Sequence, residues 1–230
     1  MIGIAIPAHD EESHIEAAVA AALRAARHPG LANEACRVVV AADACSDATE
    51  ARARAAGAWT VVLSARNVGL ARAEAARVLV QAGARWLAFT DADTRVSEAW
   101  LVQQLSLGAD AVCGCVGVDD WSCHGDDAAT VRAHFLGTYE DRDGHRHIHG
   151  ANLGVSVSAY RRAGGFRSLA CGEDVDFVRA LEATGARIAW SARPRVTTSA
   201  RRHARVVGGF ADALLRALVP EPAATLPSTA

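Results

Sequence analysis

Short apolar runs alternate with alanine-rich segments along the first 95 residues of the chain. The apolar runs have the length of buried strands, and the first alanine-rich segment carries acidic residues early and basic residues late, as helices do. Strand–helix alternation with short connections predicts an α/β fold with a doubly wound, mostly parallel sheet flanked by helices. We predict strands at Ile2–Ile6, Arg37–Ala42, Trp59–Leu63 and Trp86–Thr90, and helices at Ser13–His28, Asp43–Ala56 and Leu70–Ala82.

The pattern after residue 96 is less regular. We expect a single domain over residues 1–219, with halves at 1–95 and 96–219 and a flexible tail at 220–230. In the second half we predict strands at Ala111–Val118, Asn152–Ser158, Arg187–Trp190 and Arg195–Thr198, and helices at Asp174–Gly185 and Val207–Val219.

The composition excludes several classes of protein. The chain has 230 residues and a formal net charge of −2, which does not indicate a nucleic-acid binder. Its 24 basic residues are all arginine, so neither a Schiff-base lysine nor the lysine of a Walker phosphate loop exists. Six cysteines without a CxxC pair, no signal segment and no long apolar stretch favour a reduced, cytoplasmic protein.

Acidic segments follow three of the predicted strands, at Ala8–Glu12, Asp43–Asp47 and Asp91–Asp93. Because ligands of such sheets bind beyond the carboxyl ends of the strands, these segments should lie along one rim. Asp91 and Asp93 are two residues apart and would face the same side of an extended segment. Such a pair can hold Mg²⁺ or Mn²⁺ together with phosphate oxygens, and a polar turn capped by aspartate is the alternative.

Two loops could bind an anion or a substrate hydroxyl. In Asn67–Arg72 the glycine permits a tight turn, and Arg72 in the first helical turn could contact an anion, although an ordinary loop fits as well. Gly172-Glu173-Asp174 precedes an amphipathic helix, where a carboxylate can act as a general base or simply as a cap.

Basic and metal-ligating residues cluster in three other places. The segment 199–205 contains Arg201, Arg202 and His203 and could close over a diphosphate, with a solvated charge run as the alternative. The alternating histidines at 145, 147 and 149 are more typical of a polar face than of a metal site. Cysteines 113, 115 and 123 with His124 could bind zinc by composition, but their spacing is irregular.

Taken in order, these segments resemble the family 2 glycosyltransferases, which have the GT-A nucleotide-binding fold. The order and spacing of the motifs are more specific than any single motif, and the resemblance extends from about residue 2 to residue 205. It is carried by Ile4–Glu12, Ala41–Asp47, Asn67–Arg72, Thr90–Asp93, Gly150–Val155, Gly164–Phe166 and Gly172–Asp174.

The resemblance implies roles for particular residues. The base Asp174, supported by Glu173, would deprotonate an acceptor hydroxyl. A nucleotide would be bound by Pro7, Ala8, Glu11, Asp43, Gly69, Arg72 and Asp91, and the metal by Asp93, Asp91 and His203. The acceptor side would contain His149, Asn152, Arg201 and Arg202, and we interpret Asp119–His149 as a mobile or acceptor-side insertion.

The activity implied by this resemblance is transfer of a sugar from a nucleoside-diphosphate sugar to an unidentified acceptor hydroxyl, with Mg²⁺ or Mn²⁺ and with inversion. Asp91-Ala-Asp93-Thr94 also resembles the motif of haloacid-dehalogenase-like phosphotransferases, but it lies far from the N-terminus and no lysine follows it. An inactive nucleotide-sugar-binding module is a further alternative. Val207–Val219 could contact a membrane surface, although a helix that covers the core is the preferred interpretation.

Overall fold

One eight-stranded sheet organises the computed structural model, which describes residues 1–202 and 209–218. The order of the strands across the sheet is β3-β2-β1-β4-β7-β6-β8-β5. The strands are β1 Ile2–Ala8, β2 Cys36–Asp43, β3 Trp59–Leu63, β4 Trp86–Phe89, β5 Thr94–Val96, β6 Ala111–Gly117, β7 Leu153–Ser156 and β8 Ile188–Thr198.

The first four strands are parallel, and they form the more regular part of the sheet. Strand β7 is antiparallel to both of its neighbours, β4 and β6, while β6 and β8 are parallel and β5 is antiparallel to β8. Every residue of β1 and β4 is buried, because helices cover both faces of a doubly wound sheet. The predicted α/β class with a mostly parallel sheet flanked by helices is therefore confirmed.

Eight α-helices lie in the described part of the chain. Small residues let them approach the sheet closely: α1 buries residues at helical spacing, among them Ile15, Ala18 and Ala22. In α3 the buried residues include Ala71 and Ala75. The helices are α1 Ile15–Ala26, α2 Thr49–Ala55, α3 Val68–Gln81, α4 Trp100–Ser106, α5 Ala128–Thr138, α6 Val157–Ala163, α7 Glu173–Ala183 and α8 Phe210–Leu215.

The residues group into two compact units. Residues 1–119 and 140–199 form the larger unit, which contains the whole sheet, and the described residues 120–139, 200–202 and 209–218 form the smaller one. In the smaller unit, Phe135 of α5 packs against three other aromatic rings, those of Trp121, Tyr139 and Phe210. The division into halves at residue 95 stays a prediction, and the predicted tail at 220–230 lies outside the described residues.

Several predicted boundaries were wrong. The helix predicted from Asp43 begins at Thr49, because Asp43 is the last residue of β2 and a loop follows it. The strand predicted over Asn152–Ser158 ends at Ser156, whose side chain caps α6 by accepting the Ala159 N–H. The two strands predicted at 187–190 and 195–198 are one strand, β8.

Parts of the chain after residue 93 that we did not assign to elements are regular. Residues 94–96 form β5 and residues 100–106 form α4. The segment 119–149, interpreted above as an insertion, contains α5. Among the helices of the described residues, none is both long enough and apolar enough to cross a membrane.

Candidate functional site

The acidic loops after β1 and β2 bind each other. Ser46 donates its backbone N–H to Asp10 Oδ1 at 2.7 Å, and Ala48 donates to a carboxylate oxygen of Glu12 at 3.2 Å. In return, the Glu12 backbone N–H donates to Asp47 Oδ2 at 3.1 Å. The acidic residues predicted at the carboxyl ends of these strands therefore link the two neighbouring loops by hydrogen bonds.

Three predicted nucleotide contacts lie at the end of β1. Pro7 and Ala8 are buried in the strand, which continues through Pro7 rather than ending there. Glu11 is also buried; its backbone N–H donates to Thr49 Oγ1 at 2.8 Å, and its carboxylate lies 3.0 Å from His14 Nδ1. The strand end and the turn after it are thus fixed to the start of α2.

Asp43, at the carboxyl end of β2, holds the loop that leads into α3. Its side chain is buried, and its Oδ1 accepts the backbone N–H groups of Ala65 at 2.7 Å and Arg66 at 2.9 Å. Its Oδ2 accepts the N–H of Asn67 at 2.6 Å. Three charge-assisted hydrogen bonds use most of the acceptor capacity of one carboxylate. Contact between Asp43 and a bound nucleotide stays a prediction.

Asp91 and Asp93 flank the buried Ala92 just after β4, and both are partly exposed. The backbone forms a turn here, because the Thr94 N–H donates to the Asp91 carbonyl oxygen at 3.1 Å. The predicted extended segment was therefore wrong, although both carboxylates remain accessible. Burial raises the pKa of Asp91 to about 6; Arg72 opposes this shift and the negative charge of Asp93 adds to it. The carboxylates thus lie close enough to repel each other.

Arg72 connects the carboxylates after β4 with the start of α7. Its guanidinium donates from Nη2 to Asp91 Oδ1 at 2.6 Å and from Nη1 to Glu173 Oε1. Arg72 and Glu173 are both buried, at 3% and 5% exposure. The sequence suggested that Arg72 contacts an anion. In the structure, its guanidinium forms ion pairs with two carboxylates of the protein itself.

Two glycines make room for this arrangement. A Cβ on Gly150 would collide with the guanidinium of Arg72, and a Cβ on Gly69, in the first turn of α3, would collide with the carbonyl oxygen of Arg167. The side chain of Asn67 caps α3 by accepting the Leu70 N–H at 2.9 Å. The close approach of the Arg72 guanidinium to residue 150, and of α3 to the backbone of Arg167, therefore requires glycine at positions 150 and 69.

Asp174 lies in the first turn of α7 and remains partly exposed. Its Oδ2 accepts the backbone N–H of Gly150 at 2.8 Å, and its Oδ1 accepts that of Val175 at the same distance. Gly172, directly before the helix, has a φ of +70°, a left-handed conformation that suits glycine. These contacts fix the orientation of the carboxylate at a helix N-terminus, and its role as a general base stays a prediction.

The three alternating histidines form a stack that ends beside Asp174. The ring centroids of His145 and His147 are 5.5 Å apart, and those of His147 and His149 are 5.9 Å apart, with nearly parallel planes. Burial lowers the pKa of His149 to about 4, although Asp174 opposes this shift, so the ring is neutral at pH 7. Among the described residues, these three histidines do not belong to a group of potential ligands close enough to share one metal ion.

The remaining predicted acceptor-side residues differ in position. Asn152 is fully buried, its amide donating to the carbonyl oxygens of Cys115 and Pro194 and accepting from Trp100 Nε1, so its side chain cannot reach an acceptor. Arg202, in the smaller unit, pairs with Asp127 at 3.6 Å, and Arg201 is partly exposed. The predicted metal ligand His203 lies outside the described residues.

The Asp91–Asp93 pair has the properties of a site for a hard divalent cation. The two side chains offer oxygen ligands, the kind that Mg²⁺ and Mn²⁺ prefer. A cation would relieve their mutual repulsion, which adds to the effect of burial in raising the pKa of Asp91. The residues present therefore fit such an ion.

The structure also resembles solved proteins of the same fold. Residues 1–349 of S. aureus TarS in complex with UDP match with a TM-score of 0.62 and 16% identity, over 86% of this chain and 61% of that one. The mannosyltransferase PcManGT from Pyrobaculum calidifontis, in complex with GDP-Man and Mn²⁺, matches with a TM-score of 0.62 and 15% identity, over 89% and 58%. The chain thus spans about 60% of the length of these relatives.

A third match is glucosyl-3-phosphoglycerate synthase from Mycobacterium tuberculosis in complex with Mg²⁺ and UDP. Its TM-score is 0.55 and its identity 17%, over 95% of this chain and 78% of that one. Among curated proteins, no sequence is significantly similar to this chain. The family model described as glycosyl transferase family 2 matches residues 3–164, which is more than half of the sequence. The chain therefore belongs to glycosyl transferase family 2.

Proposed function

We propose that this protein transfers a sugar from a nucleoside-diphosphate sugar to an acceptor hydroxyl. The observation that carries the proposal is the Arg72 guanidinium, which binds Asp91 on the predicted donor side and Glu173 next to the predicted base. The buried guanidinium thereby joins two segments that lie 82 residues apart in the sequence. Membership of the family supports the same function.

The donor would bind beyond the ends of β1, β2 and β4. The cross-linked loops after β1 and β2 form one rigid wall, and the loop held by Asp43 forms another. Rigid backbone at the carboxyl ends of parallel strands is where doubly wound folds bind nucleotides. The structural relatives are described in complex with UDP and with GDP-Man, which supports a nucleoside-diphosphate donor without selecting its base.

Asp93 and Asp91 would hold Mg²⁺ or Mn²⁺ on the donor diphosphate. When bound, the ion supplies positive charge that stabilises the departing diphosphate. The buried Arg72 keeps Asp91 in position through its hydrogen bond, so it acts as a positioning residue. The predicted third ligand, His203, remains part of the proposal.

Asp174 would act as the catalytic base. It takes the proton of the acceptor hydroxyl while that oxygen forms a bond to the anomeric carbon of the sugar. The bond between that carbon and the diphosphate oxygen breaks at the same time, and the nucleoside diphosphate leaves with the electron pair. A single displacement of this kind inverts the anomeric configuration. Glu173, buried against Arg72, positions the start of the helix that carries Asp174.

The donor side can be tested without knowing the acceptor. Binding of UDP, GDP and TDP is measured by calorimetry with and without Mn²⁺, on the wild type, Asp93→Asn and the control Asp141→Asn. Asp141 is an exposed aspartate that pairs with Arg195. We expect metal-dependent binding of one diphosphate, weakened at least about tenfold by Asp93→Asn alone. Folded wild-type protein that binds none of the three with Mn²⁺ would contradict the proposal.

A further inference from the structure

A group of three potential metal ligands lies where β1 and β2 end, apart from Asp91 and Asp93. His9, Asp10 and Cys45 each offer one ligand atom, and these three atoms lie within 4.8 Å of one another. Within residues 1–202 and 209–218, no other three side chains of histidine, cysteine, aspartate or glutamate are grouped this closely. All three are only half-buried, so an ion from solvent can reach them.

The imidazole of His9 has one nitrogen committed to the protein. His9 Nδ1 lies 2.7 Å from the carbonyl oxygen of Asp43. A carbonyl only accepts hydrogen bonds, so Nδ1 carries the proton and Nε2 of the neutral ring keeps its lone pair. Nε2 lies 3.7 Å from Asp10 Oδ2. A ring N–H donated to a backbone carbonyl is the contact that usually orients a metal-binding histidine.

The other two ligands are also held by surrounding groups. Asp10 Oδ1 accepts the backbone N–H of Ser46 at 2.7 Å and its hydroxyl at 3.2 Å. Cys45 precedes Ser46 in the same loop, and its Sγ lies 3.5 Å from the Ala8 carbonyl oxygen. The thiol and the carboxylate are therefore fixed through one short segment that is bound to both strand ends.

We propose that His9, Asp10 and Cys45 form a binding site for a thiophilic divalent cation, with Zn²⁺ as the best fit. A mixed set of nitrogen, oxygen and sulfur ligands suits Zn²⁺, whereas Mg²⁺ and Mn²⁺ prefer oxygen alone. Ligand atoms around a tetrahedral Zn²⁺ are about 3.4 to 3.8 Å apart, so small side-chain rotations suffice. Cys45 releases its thiol proton to solvent on binding, and the fourth position stays open.

This site is separate from the proposed donor cation in both residues and chemistry. It includes neither Asp91 nor Asp93, and it contains a thiol that a hard cation does not need. Zn²⁺ binding is measured directly and needs no substrate, so it can fail or succeed independently of the transferase activity.

The test is a Co²⁺ titration of the purified full chain in reducing buffer, followed by displacement with Zn²⁺. We expect a sulfur-to-cobalt charge-transfer band that saturates at one equivalent and disappears when Zn²⁺ is added. Cys45→Ser should abolish this band, and His9→Gln should weaken Zn²⁺ binding by about 10- to 100-fold. Cys36→Ser is the matched control, because Cys36 is also half-buried but its Sγ contacts the Glu34 carbonyl oxygen.

Circular dichroism of each variant verifies that the fold is retained, and Cys45→Ala serves as a second variant if Cys45→Ser unfolds. A charge-transfer band that persists without the Cys45 thiol would overturn the proposal. So would a wild-type protein that shows no such band, or equal Zn²⁺ affinities for the wild type and His9→Gln.

Discussion

The strands on either side of β1 both lead into an aspartate, and the two carboxylates have different surroundings. Asp43 after β2 is buried and accepts three backbone N–H groups, so its charge is used to hold a loop. Asp91 after β4 has a third of its side chain exposed, and within residues 1–202 and 209–218 its one side-chain partner is Arg72. The same residue type at equivalent strand ends therefore serves the fold in one place and remains available to a ligand in the other.

The largest change in stability is expected at Arg72, which holds Asp91 in place. Arg72→Met leaves Asp91 and Glu173 without their buried cation, and removing one partner from a buried ion pair costs about 3 to 5 kcal/mol. Urea unfolding measures the loss. Arg77→Met is the control on the same helix, since Arg77 is exposed and its pair with Glu74 lies in water. Equal stabilities of the two variants would contradict a structural role for Arg72.

The second effect concerns Asp43. Asp43→Ala removes the acceptor of three backbone N–H groups, and we expect a loss of about 2 to 4 kcal/mol in the free energy of unfolding. Asp43→Asn should lose less, because its amide oxygen still accepts. Hydrogen exchange should show faster exchange of the Ala65, Arg66 and Asn67 amides in Asp43→Ala. Unchanged exchange of these three amides would show that the carboxylate does not hold the loop.

The third effect is a dependence of stability on pH near Asp174. The pKa of His149 is lowered from 6.5 to about 4, so protonation favours the unfolded chain. The neutral ring contributes stability that is complete above pH 6.5 and is lost as the pH falls towards 4. Between pH 8 and pH 5 the wild type should lose about 1 to 2 kcal/mol more than His149→Gln.

Urea unfolding at both pH values measures this difference. His134→Gln is the control, because His134 is exposed in the smaller unit. The groups that face His149 are Asp174, which opposes its low pKa, and His147 and His145, which reinforce it. Parallel pH profiles of the wild type and His149→Gln would contradict burial of a neutral ring.

The smallest change in stability is expected at Asp93. The side chain is partly exposed, so Asp93→Asn should alter the free energy of unfolding by no more than about 0.5 kcal/mol. Its effect should appear only in metal-dependent nucleotide binding. A loss of stability as large as that of Asp43→Ala would remove the distinction between the two strand ends.

The sequence revealed the first half of the fold because its strands are short apolar runs separated by helices, even though only β1 and β4 are fully buried and the edge strand β3 is not. The bounds predicted for β3 are those of the structure, and β4 differs by one residue. The second half was harder, since antiparallel strands such as β7 are short and α5 buries only Val131 and Phe135. Such segments carry little periodic signal.

The candidate site was predicted as a set of residues but not as a set of contacts. The alternation of strands and helices indicated that the strands are parallel, so that their carboxyl ends lie at one edge of the sheet. The acidic residues that follow these strands were therefore expected along that edge. The partners of Arg72 could not be predicted, since Glu173 is 101 residues away in the sequence and no local pattern encodes that ion pair. The burial of Asn152 behind Trp100 likewise depends on tertiary packing.

The most direct test of the proposed activity is release of nucleoside diphosphate from a donor sugar by Asp174→Asn. The donor carries the base selected by calorimetry, and water or an added alcohol serves as the acceptor hydroxyl. We predict a rate about 10² to 10⁴ times below that of the wild type, with nucleotide binding retained. Asp176→Asn, in the same helical turn, should keep the wild-type rate. Equal rates for Asp174→Asn and the wild type would contradict the account, and so would a wild-type protein that binds the nucleotide but never releases it from a donor.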